Sequence, residues 1–409
     1  MTQKKEYGIL SLPVIVGALG FFVDVFDLLL FNIIRKPSLK SLGLDENSID
    51  ATGEYMLNIQ MIGLVIGGIL WGILGDKKGR LSVLFGSILL YSIATIANGF
   101  VQDVTTYTWL RFIAGLGLAG ELGASITLTS EILPKEKRGI AATIIATTGV
   151  LGTITAFYVN DFFNNWRICY FIGGGLGLLL LLMRVSIKES GMYDSLRNKS
   201  VQLGNFFMFF NKRDRFLRYI RSILIGLPVW YAIGVLVSFS NKFGKGMGIE
   251  NVDPGRAVLY QYMGLALGDL SAGFLSNIIK SRKKALFVFY SIAICFMVLY
   301  FMQHNETAQH MYWICMGLGF GSGISVLYIS MSAEQFGTNL RSTATTSIPN
   351  FVRGGLVLIS FLFQWIRSLN GIDFVTGGWI TGIIVMLIAL LAVIFTKETF
   401  GRDLDFIET

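Results

Sequence analysis

The chain has 409 residues, of which 53% are hydrophobic and 15% are charged. So little charge excludes an ordinary soluble protein and indicates an integral membrane protein. The formal net charge is +8, but the basic residues cluster beside the ends of apolar runs. The charge therefore predicts membrane topology and not a nucleic-acid partner.

Apolar runs of membrane-spanning length recur along the chain. A spanning helix needs about 20 apolar residues, so this length holds about twelve spans with short connections. The first six predicted spans are 8–34, 55–74, 81–100, 109–133, 140–163 and 168–187. The other six are 222–239, 258–279, 286–302, 311–333, 344–366 and 374–395. A polar loop over 188–221 separates the two sets, and little of the chain is left for a soluble domain.

Lysine and arginine are distributed unequally between the connectors. Of the 34 basic residues, 24 lie in the termini and in the connectors after the even-numbered spans, and eight lie in the other connectors. Cytoplasmic connectors carry the excess of positive charge in membrane proteins. We therefore predict a protein of the bacterial inner membrane with both termini and the central loop in the cytoplasm. The remaining two, Arg111 and Arg353, lie inside predicted spans.

Short patterns near the span ends repeat about 200 residues apart. The matching residues are Asp76 with Asn277, Glu131 and Arg138 with Glu334 and Arg341, and Glu189 with Glu398. Two six-helix halves with a site between them are the architecture of alternating-access transporters. We predict an all-α membrane protein with two pseudo-symmetric six-helix bundles, 1–187 and 222–409, joined by the cytoplasmic loop 188–221.

Two signatures identify a family resemblance. One lies between spans two and three, and the other lies in span four. Their residues are Gly72, Asp76, Lys77, Gly79 and Arg80 in the first, and Arg111, Gly115, Gly117 and Gly120 in the second. With them the whole chain resembles the major facilitator superfamily, which implies its twelve-helix fold and transport by alternating access.

Further residues narrow the resemblance without fixing a subfamily. The stretch 20–27 is similar to the first span of phosphate:proton symporters, but Gly234 stands where those proteins carry an Asp after a Trp, which disfavours phosphate. Residues 120–121, 131, 134, 138–139 and 166–167 resemble sugar porters and metabolite:proton symporters. Span five lacks the Gly-Pro pair of antiporters. Symport is favoured over drug efflux.

Ionisable side chains at membrane depth are costly, so each calls for a partner or a function. The deep acids are Asp24, Asp27, Glu121 and Asp269, and the deep bases are Arg111 and Arg353. Two surplus carboxylates favour the protonated state, because a low dielectric disfavours their charge. Groups of that kind are what proton coupling requires, with the proton as the coupling ion and no other cofactor.

The first-span acids share one helical face, because Asp24 and Asp27 are three residues apart. By resemblance to sugar porters, Asp27 would pair with Arg111 and release it on protonation. The alternative is a static buried pair that holds two helices together. Asp24 is either a second coupling group or a hydrogen-bonded polar residue, and Glu121 either binds substrate or is another proton site.

The second half contains one deep arginine. Arg353 lies twelve residues after Arg341, hence about 18 Å along the helix and near the midplane. Its guanidinium could hold a carboxylate or phosphate through paired hydrogen bonds, or it could pair with Asp269. Uncharged candidates for substrate binding lie at similar depth: Gln60, Trp230, Tyr231, Gln261, Tyr262 and Asn350. For the aromatic residues among them, packing is the alternative.

The signature residues near the span ends predict a cytoplasmic gate. Asp76 can sit against a helix N-terminus of the opposite half, where the partial positive charge stabilises it. The other expected members, which can form ion pairs, are Arg80, Glu131, Arg138, Glu189, Glu334, Arg341 and Glu398. The resemblance implies that these links close the cytoplasmic side and break when the halves rock. The alternative is that they only fix topology.

We therefore expect a proton-coupled symporter of a small polar, anionic metabolite, acting as a monomer in the lipid bilayer. Two alternatives stay open: an uncoupled facilitator or exchanger of the same fold, and a membrane receptor that binds a nutrient without moving it. We expect no enzyme and no metal centre, because the sequence contains no deep Ser, Cys and His constellation and no metal-ligand cluster.

Overall fold

A computed structural model describes residues 8–184 and 202–408 of the chain. Within those ranges the regular structure is helical, and twelve long helices follow the predicted order. We label them α1 (Leu12–Ser41), α2 (Glu46–Lys78), α3 (Arg80–Asn98), α4 (Val104–Ile132), α5 (Lys135–Phe163), α6 (Trp166–Met183), α7 (Arg213–Val237), α8 (Pro254–Ile278), α9 (Arg282–Met302), α10 (Ala308–Gln335), α11 (Arg341–Ser368) and α12 (Phe374–Phe395). Short helices at Met208–Asn211 and Ser240–Gly246 precede and follow α7.

Eleven of these helices are long and apolar enough to cross a bilayer. The remaining one, α8, has 25 residues, which is also sufficient length, but polar residues such as Gln261 and Asp269 lower its hydropathy. The prediction of an integral membrane protein with twelve helices is confirmed. We call α1 to α6 the first half and α7 to α12 the second half.

Three helices depart from regular α-helical geometry. In α4 a turn at 119–120 separates Val104–Leu118 from Glu121–Ile132, and in α10 the residues 322–324 separate Ala308–Gly321 from Ser325–Gln335. In α7 a π-helical segment, Ala232–Val237, begins four residues after Pro228. Breaks of this kind leave backbone groups free for other partners. All three occur in helices that line the space between the halves.

The halves meet along two equivalent seams, one between α2 and α11 and the other between α5 and α8. Small residues allow the close approach. Gly72 on α2 packs on the backbone of Thr343 on α11, and Gly273 on α8 packs on the side chain of Thr143 on α5. Each glycine and each threonine has its counterpart about 200 residues away. The sequence repeat is therefore visible as pseudo-symmetry of the two seams.

Several helices begin earlier than their apolar runs. Helix α7 starts at Arg213, so 213–221 are helical and not part of a loop, and α2 starts at Glu46, nine residues before the predicted span. Both added segments are rich in charged and polar residues. A span predicted from hydropathy leaves such residues out, although the helix itself continues through them. Residues 188–201 of the predicted loop lie outside the described part of the chain.

Candidate substrate and proton site

A small cavity of about 50 Å³ lies between the two halves. Its walls come from α1, α4 and α5 on one side and from α7, α8, α10 and α11 on the other. Among the lining residues are Trp230, Tyr262, Asp269, Tyr328 and Arg353. Ligand pockets for small molecules usually measure about 300 to 1,000 Å³. This cavity holds water-sized molecules, so a metabolite requires it to widen.

An ion pair connects the halves beside this cavity. Arg353 Nη2 on α11 lies 3.5 Å from Asp24 Oδ2 on α1, and Arg353 Nη1 lies 3.5 Å from Asn350 Oδ1. Asp24 is fully buried, and neither of its oxygens has a hydrogen-bond partner within the described residues. A buried carboxylate with one distant cation is weakly satisfied. Arg353 lines the cavity, so an anion that enters the cavity competes with Asp24 for the guanidinium.

Asp27 and Arg111 lie within the first half, as the resemblance implied. Asp27 Oδ2 is 3.7 Å from Arg111 Nη1, and Thr95 Oγ1 donates to Asp27 Oδ1 at 3.0 Å. The guanidinium of Arg111 also lies over the rings of Phe31 and Tyr170, at 5.4 and 5.7 Å. Both charged groups are fully buried. The pair connects α1 to α4 inside the first half.

Glu121 has a partner that sequence reasoning missed. Arg184, directly after α6, donates to both oxygens of Glu121 and to the carbonyl of Leu84. Both side chains are fully buried. Arg184 lies near the end of the sixth predicted span and was grouped with the basic residues of the central loop, so it was left out of the deep set. With Arg184 included, the surplus of deep carboxylates in the described residues falls from two to one, and Glu121 is not an unpaired acid.

Asp269 lines the same cavity as Arg353 but binds elsewhere. Its Oδ1 accepts hydrogen bonds from the backbone amides of Ser325 and Val326, at 2.8 and 3.3 Å. These amides begin the second segment of α10, so Asp269 caps a helix N-terminus, which attracts negative charge. The alternative pairing of Arg353 with Asp269 is not the one in this structure, where Arg353 contacts Asp24.

Four of the uncharged candidates divide into residues at or near the cavity and one residue that packs elsewhere. Trp230 and Tyr262 line the cavity, and Asn350 Nδ2 donates to the carbonyl of Ala119 at the break in α4, at 2.8 Å. Tyr231 instead donates to the carbonyl of Gly378 on α12, so its hydroxyl stabilises packing inside the second half.

Two further candidates, Gln60 and Gln261, are 201 residues apart and occupy equivalent positions on α2 and α8. Both are fully buried. Neither amide has a hydrogen-bond partner among the described residues. The backbone carbonyl of each lies against a glycine of the neighbouring helix, Gly115 and Gly319 respectively.

The signature acid Asp76 sits on a helix N-terminus of the opposite half, as predicted. Its carboxylate accepts from the backbone amides of Ser342 and Thr343, at 3.1 and 2.9 Å, and from the hydroxyl of Thr343 at 2.6 Å. These residues begin α11. We call this end of the molecule, where the basic connectors lie, the basic end. We call its contacts between the two halves, which include those of Asp76 with Ser342 and Thr343, the latch.

A buried charge network completes the latch. Arg80 Nη2 donates to Glu131 Oε1 at 2.8 Å, and Arg341 of the opposite half donates to the same oxygen at 3.2 Å. Arg80 also donates to the carbonyl of Thr338 across the seam. The expected ion-pair partner Arg138 donates its Nε to the carbonyl of Leu133. Glu131 is therefore shared by two arginines from different halves.

The second half has its own version of this network. Glu334 accepts from Arg282 Nη2 at 3.0 Å and from the hydroxyl of Thr399 at 2.7 Å. Glu398 caps the start of α9, accepting from Ser281 and from the backbone amide of Arg282. Burial raises the pKa of Glu398, but hydrogen bonds from Ser281 and nearby backbone amides outweigh it, and the pKa lies below its usual range. Arg282 was not among the predicted members. Glu189 lies outside the described residues.

The C-terminal segment after α12 also belongs to this end, which the sequence did not indicate. Glu408 accepts from both terminal nitrogens of Arg218, at 2.9 and 3.2 Å. Arg341 donates to the carbonyl of Leu404, and Thr338 donates its amide to the carbonyl of Phe406 at 2.8 Å. The segment thus lies against Arg341, one of the two arginines that bind Glu131.

Comparison with known proteins decides the family. The model of the Major Facilitator Superfamily matches residues 17–360. The chain belongs to this superfamily. The resemblance stated from the sequence signatures is confirmed, and the protein is a membrane transporter and not an enzyme.

Three curated relatives align over nearly the whole chain. A putative metabolite transport protein of Haemophilus influenzae is 27% identical, covering 99% of this chain and all of the relative. The niacin transporter NiaP of Acinetobacter baylyi is 26% identical, covering 95% and 94%. The cis,cis-muconate transport protein of the same organism is 24% identical, covering 93% and 92%.

Among solved structures, the proton:xylose symporter XylE bound to 6-bromo-6-deoxy-D-glucose is similar with a TM-score of 0.74. It is 17% identical, and the match covers 96% of this chain and 97% of XylE. At that identity the similarity describes the fold, which is the twelve-helix fold expected from the sequence.

Proposed function

We propose that the protein is a symporter that moves a small organic anion together with protons by alternating access. The observation that carries this proposal is the buried pair of Asp24 and Arg353, which joins the two halves at the wall of the central cavity. The relatives named for niacin and cis,cis-muconate support a carboxylate as the substrate class. A guanidinium binds carboxylates through paired hydrogen bonds, which suits Arg353 to that task.

The coupling step follows from competition for Arg353. While Asp24 is ionised, it holds Arg353. When Asp24 takes a proton, its attraction for the guanidinium falls and Arg353 is free to bind the substrate carboxylate. One proton and a monovalent anion add no net charge when they bind together, which lowers the cost of moving the occupied site through an apolar environment. Loss of the proton restores the pair with Asp24 and expels the anion.

The other deep groups take supporting roles in this proposal. Asp27 with Arg111 is a second candidate for protonation, inside the first half. Glu121, held by Arg184 through two hydrogen bonds, fixes α4 against α6. Around Arg353, the side chains of Trp230, Tyr262 and Asn350 are placed to orient a bound ligand, because they lie on or beside the same cavity wall.

The basic end is the cytoplasmic end in this proposal, because positively charged connectors remain in the cytoplasm. The bacterial inner membrane is the corresponding location. The latch then closes the cytoplasmic side, and opening toward the cytoplasm requires Asp76 to leave α11 and Glu131 to leave Arg341. We expect a monomer to suffice, since both seams lie within one chain.

An uncoupled exchanger of the same anion would use the same cavity and would differ in its response to protons. The experiment is ligand-induced thermal stabilisation of the purified protein, because a ligand that binds only the folded state raises its melting temperature. We expect niacin, benzoate or cis,cis-muconate to stabilise the protein more at pH 5.5 than at pH 8. Stabilisation by neutral sugars alone would contradict the anion assignment. Equal stabilisation at both pH values would favour the uncoupled exchanger.

A further inference from the structure

A second cavity, of about 370 Å³, lies at the end of the molecule opposite the latch. Its position follows from the helices that form it: the early part of α2, the segment after α7, the last turns of α11 and the start of α12. The lining residues used below are Glu54, Phe239, Lys242, Phe363, Arg367 and Phe374. We call it the outer cavity. Its volume falls in the range of small-molecule pockets, which the central cavity does not reach.

The outer cavity carries a surplus of positive charge. Lys242 and Arg367 are both exposed, and within the described ranges neither forms an ion pair. The acid on the wall, Glu54, accepts instead from Gln364 Nε2 of the opposite half at 3.3 Å. Two cations therefore face this space without a carboxylate partner, which makes the outer cavity attractive to an anion.

The same two cations make cation–π contacts with aromatic rings. Arg367 lies 4.5 Å from the ring centre of Phe374 and 5.6 Å from that of Phe363, and Lys242 Nζ lies 5.3 Å from that of Phe239. Cations are positioned by such ring contacts without losing their charge. A ligand with a carboxylate on one side and a ring on the other matches this wall, because the ring can pack on the phenylalanines.

The location gives the outer cavity a place in the transport cycle. With the latch closed at the basic end, an anion approaches from the opposite end. The two halves touch there through the hydrogen bond of Gln364 to Glu54. The central cavity beyond is too small for a metabolite in this conformation. A site that accepts the anion before the central cavity widens is therefore available on the approach path.

We propose that the outer cavity is a docking site for organic anions that carry a ring, and that substrate binds there before it reaches Arg353. This inference takes its substrate class from the proposed function. Lys242 and Arg367 attract the carboxylate, the three phenylalanines contact the ring, and Glu54 opposes binding because it carries the same charge as the ligand.

The test uses the full-length Arg353→Gln variant, in which the central anion site is disabled. Binding of radiolabelled benzoate is measured by equilibrium dialysis at low ionic strength. We expect residual binding that weakens by at least about threefold when Lys242→Gln and Arg367→Gln are added, since two exposed charge contacts are lost. Adding Glu54→Gln instead should tighten binding. High salt should reduce both effects.

The matched control is Lys245→Gln with Arg256→Gln, which removes the same charge from exposed residues at the same end that do not line the outer cavity. An equal loss in this control, or no benzoate binding to Arg353→Gln, would overturn the docking site. Melting temperatures check that each variant is folded. A different measurement tests the proposed function. If that function is wrong, the wild type shows no proton-driven uptake, whether or not the outer cavity binds benzoate.

Discussion

At the scale of single residues, the four deep carboxylates differ in what holds them. Glu121 has two donated hydrogen bonds from Arg184, Asp269 has two backbone amides, and Asp27 has Thr95 and a cation at 3.7 Å. Among the described residues, Asp24 has only Arg353, at 3.5 Å and from the opposite half. A carboxylate with few donors and full burial gains most from taking a proton. Asp24 is therefore our first choice for the coupling group.

Asp24→Asn should abolish proton-driven accumulation and retain counterflow exchange. The amide cannot compete for Arg353, so the anion binds without a proton. Anion affinity should become independent of pH, whereas wild-type affinity should fall by up to about tenfold per pH unit above the pKa of the group. Isothermal titration at several pH values and flux into proteoliposomes measure these two effects. Accumulation at the wild-type level in Asp24→Asn would rule out this assignment.

Asp27→Asn provides the corresponding test of the pair with Arg111. If that pair also transmits protons, this variant too should lose accumulation and keep exchange. If the pair is static, the variant should keep accumulation and show a lower melting temperature, because Arg111 is left without its carboxylate. Flux and thermal unfolding of the same preparation distinguish the two results.

Arg353→Lys should weaken anion affinity about tenfold or more, because an ammonium retains the charge but loses the bidentate geometry. Arg111→Lys is the matched control, since Arg111 is also a buried arginine but contacts Asp27 within the first half. We expect that control to bind with wild-type affinity in a dialysis assay. Equal losses in both variants would point to a general effect of deep arginines.

Arg184→Gln should destabilise the folded protein by about 3 to 5 kcal/mol, because it leaves Glu121 buried without its cation. Adding Glu121→Gln should recover a large part of that loss, since two neutral amides can bond to each other. Thermal unfolding in detergent measures both effects. A double variant no more stable than Arg184→Gln would argue against a mutual pair.

The residues of the site were only partly predictable from the sequence. Family signatures and helical spacing placed Asp27 beside Arg111 and Arg353 near the midplane. Spacing along a helix gives depth but not the direction in which the two halves face each other. For that reason the sequence offered a substrate anion or Asp269 as the partner of Arg353, and the contact with Asp24 was not predicted. Arg184 was missed because it terminates an apolar run, although the surplus of deep acids was a sign that a cation was absent from the set.

At the scale of helices, one carboxylate of α2 holds the start of α11. Asp76 accepts three hydrogen bonds there, and the partial positive charge of the helix terminus adds to them. Because the two helices belong to different halves, this contact is present only while the basic end is closed. The conformational equilibrium should depend on it directly.

Asp76→Ala should shift the population toward states that are open at the basic end. A carboxylate at a helix terminus contributes roughly 0.3 to 2 kcal/mol, enough to change the ratio of the states by about twofold to thirtyfold. The measurement is the labelling rate of single cysteines introduced at each end.

The control for this variant is Asp103→Ala. Asp103 caps α4 by accepting from Thr106 of the same helix, so it crosses no seam and should leave the ratio unchanged. If both variants shift the ratio equally, or neither does, then Asp76 does not set this equilibrium.

Hydropathy located the helices but not their internal breaks. The turn at 119–120 and the interruption at 322–324 lie inside continuous apolar runs, where composition does not change. Their positions depend on partners elsewhere, such as Asn350 on Ala119 and Asp269 on Ser325. Such tertiary contacts are not encoded in the local pattern.

At the scale of the whole molecule, the internal repeat predicted the arrangement well. Residues about 200 positions apart form equivalent seams, Gly72 on Thr343 and Gly273 on Thr143. The latch is less symmetric. Asp76 on α2 has Asn277 as its counterpart on α8, and Asn277 lies against Gly139. The C-terminal segment was not predictable, because its contacts with Arg218 and Arg341 come from irregular backbone without periodicity.

The placement of Arg353 and Asp24 on different halves suits a cycle with two conformations. The central anion site and the coupling acid lie on different halves, so every rocking motion that separates α1 from α11 must break their ion pair. A proton on Asp24 and an anion on Arg353 together remove that obstacle. A proton without the anion, or the anion without a proton, would leave a net charge at this buried site. The substrate should therefore cross only together with a proton, which is the requirement for symport.

The most direct test is uptake of radiolabelled cis,cis-muconate, niacin or benzoate by proteoliposomes with an acidic exterior, after subtraction of protein-free vesicles. We predict accumulation above equilibrium that a protonophore collapses and that Asp24→Asn lacks, although this variant still exchanges internal for external anion. Wild-type uptake that does not depend on the imposed pH gradient would contradict the central claim. Accumulation by Asp24→Asn at the wild-type level would contradict it as well.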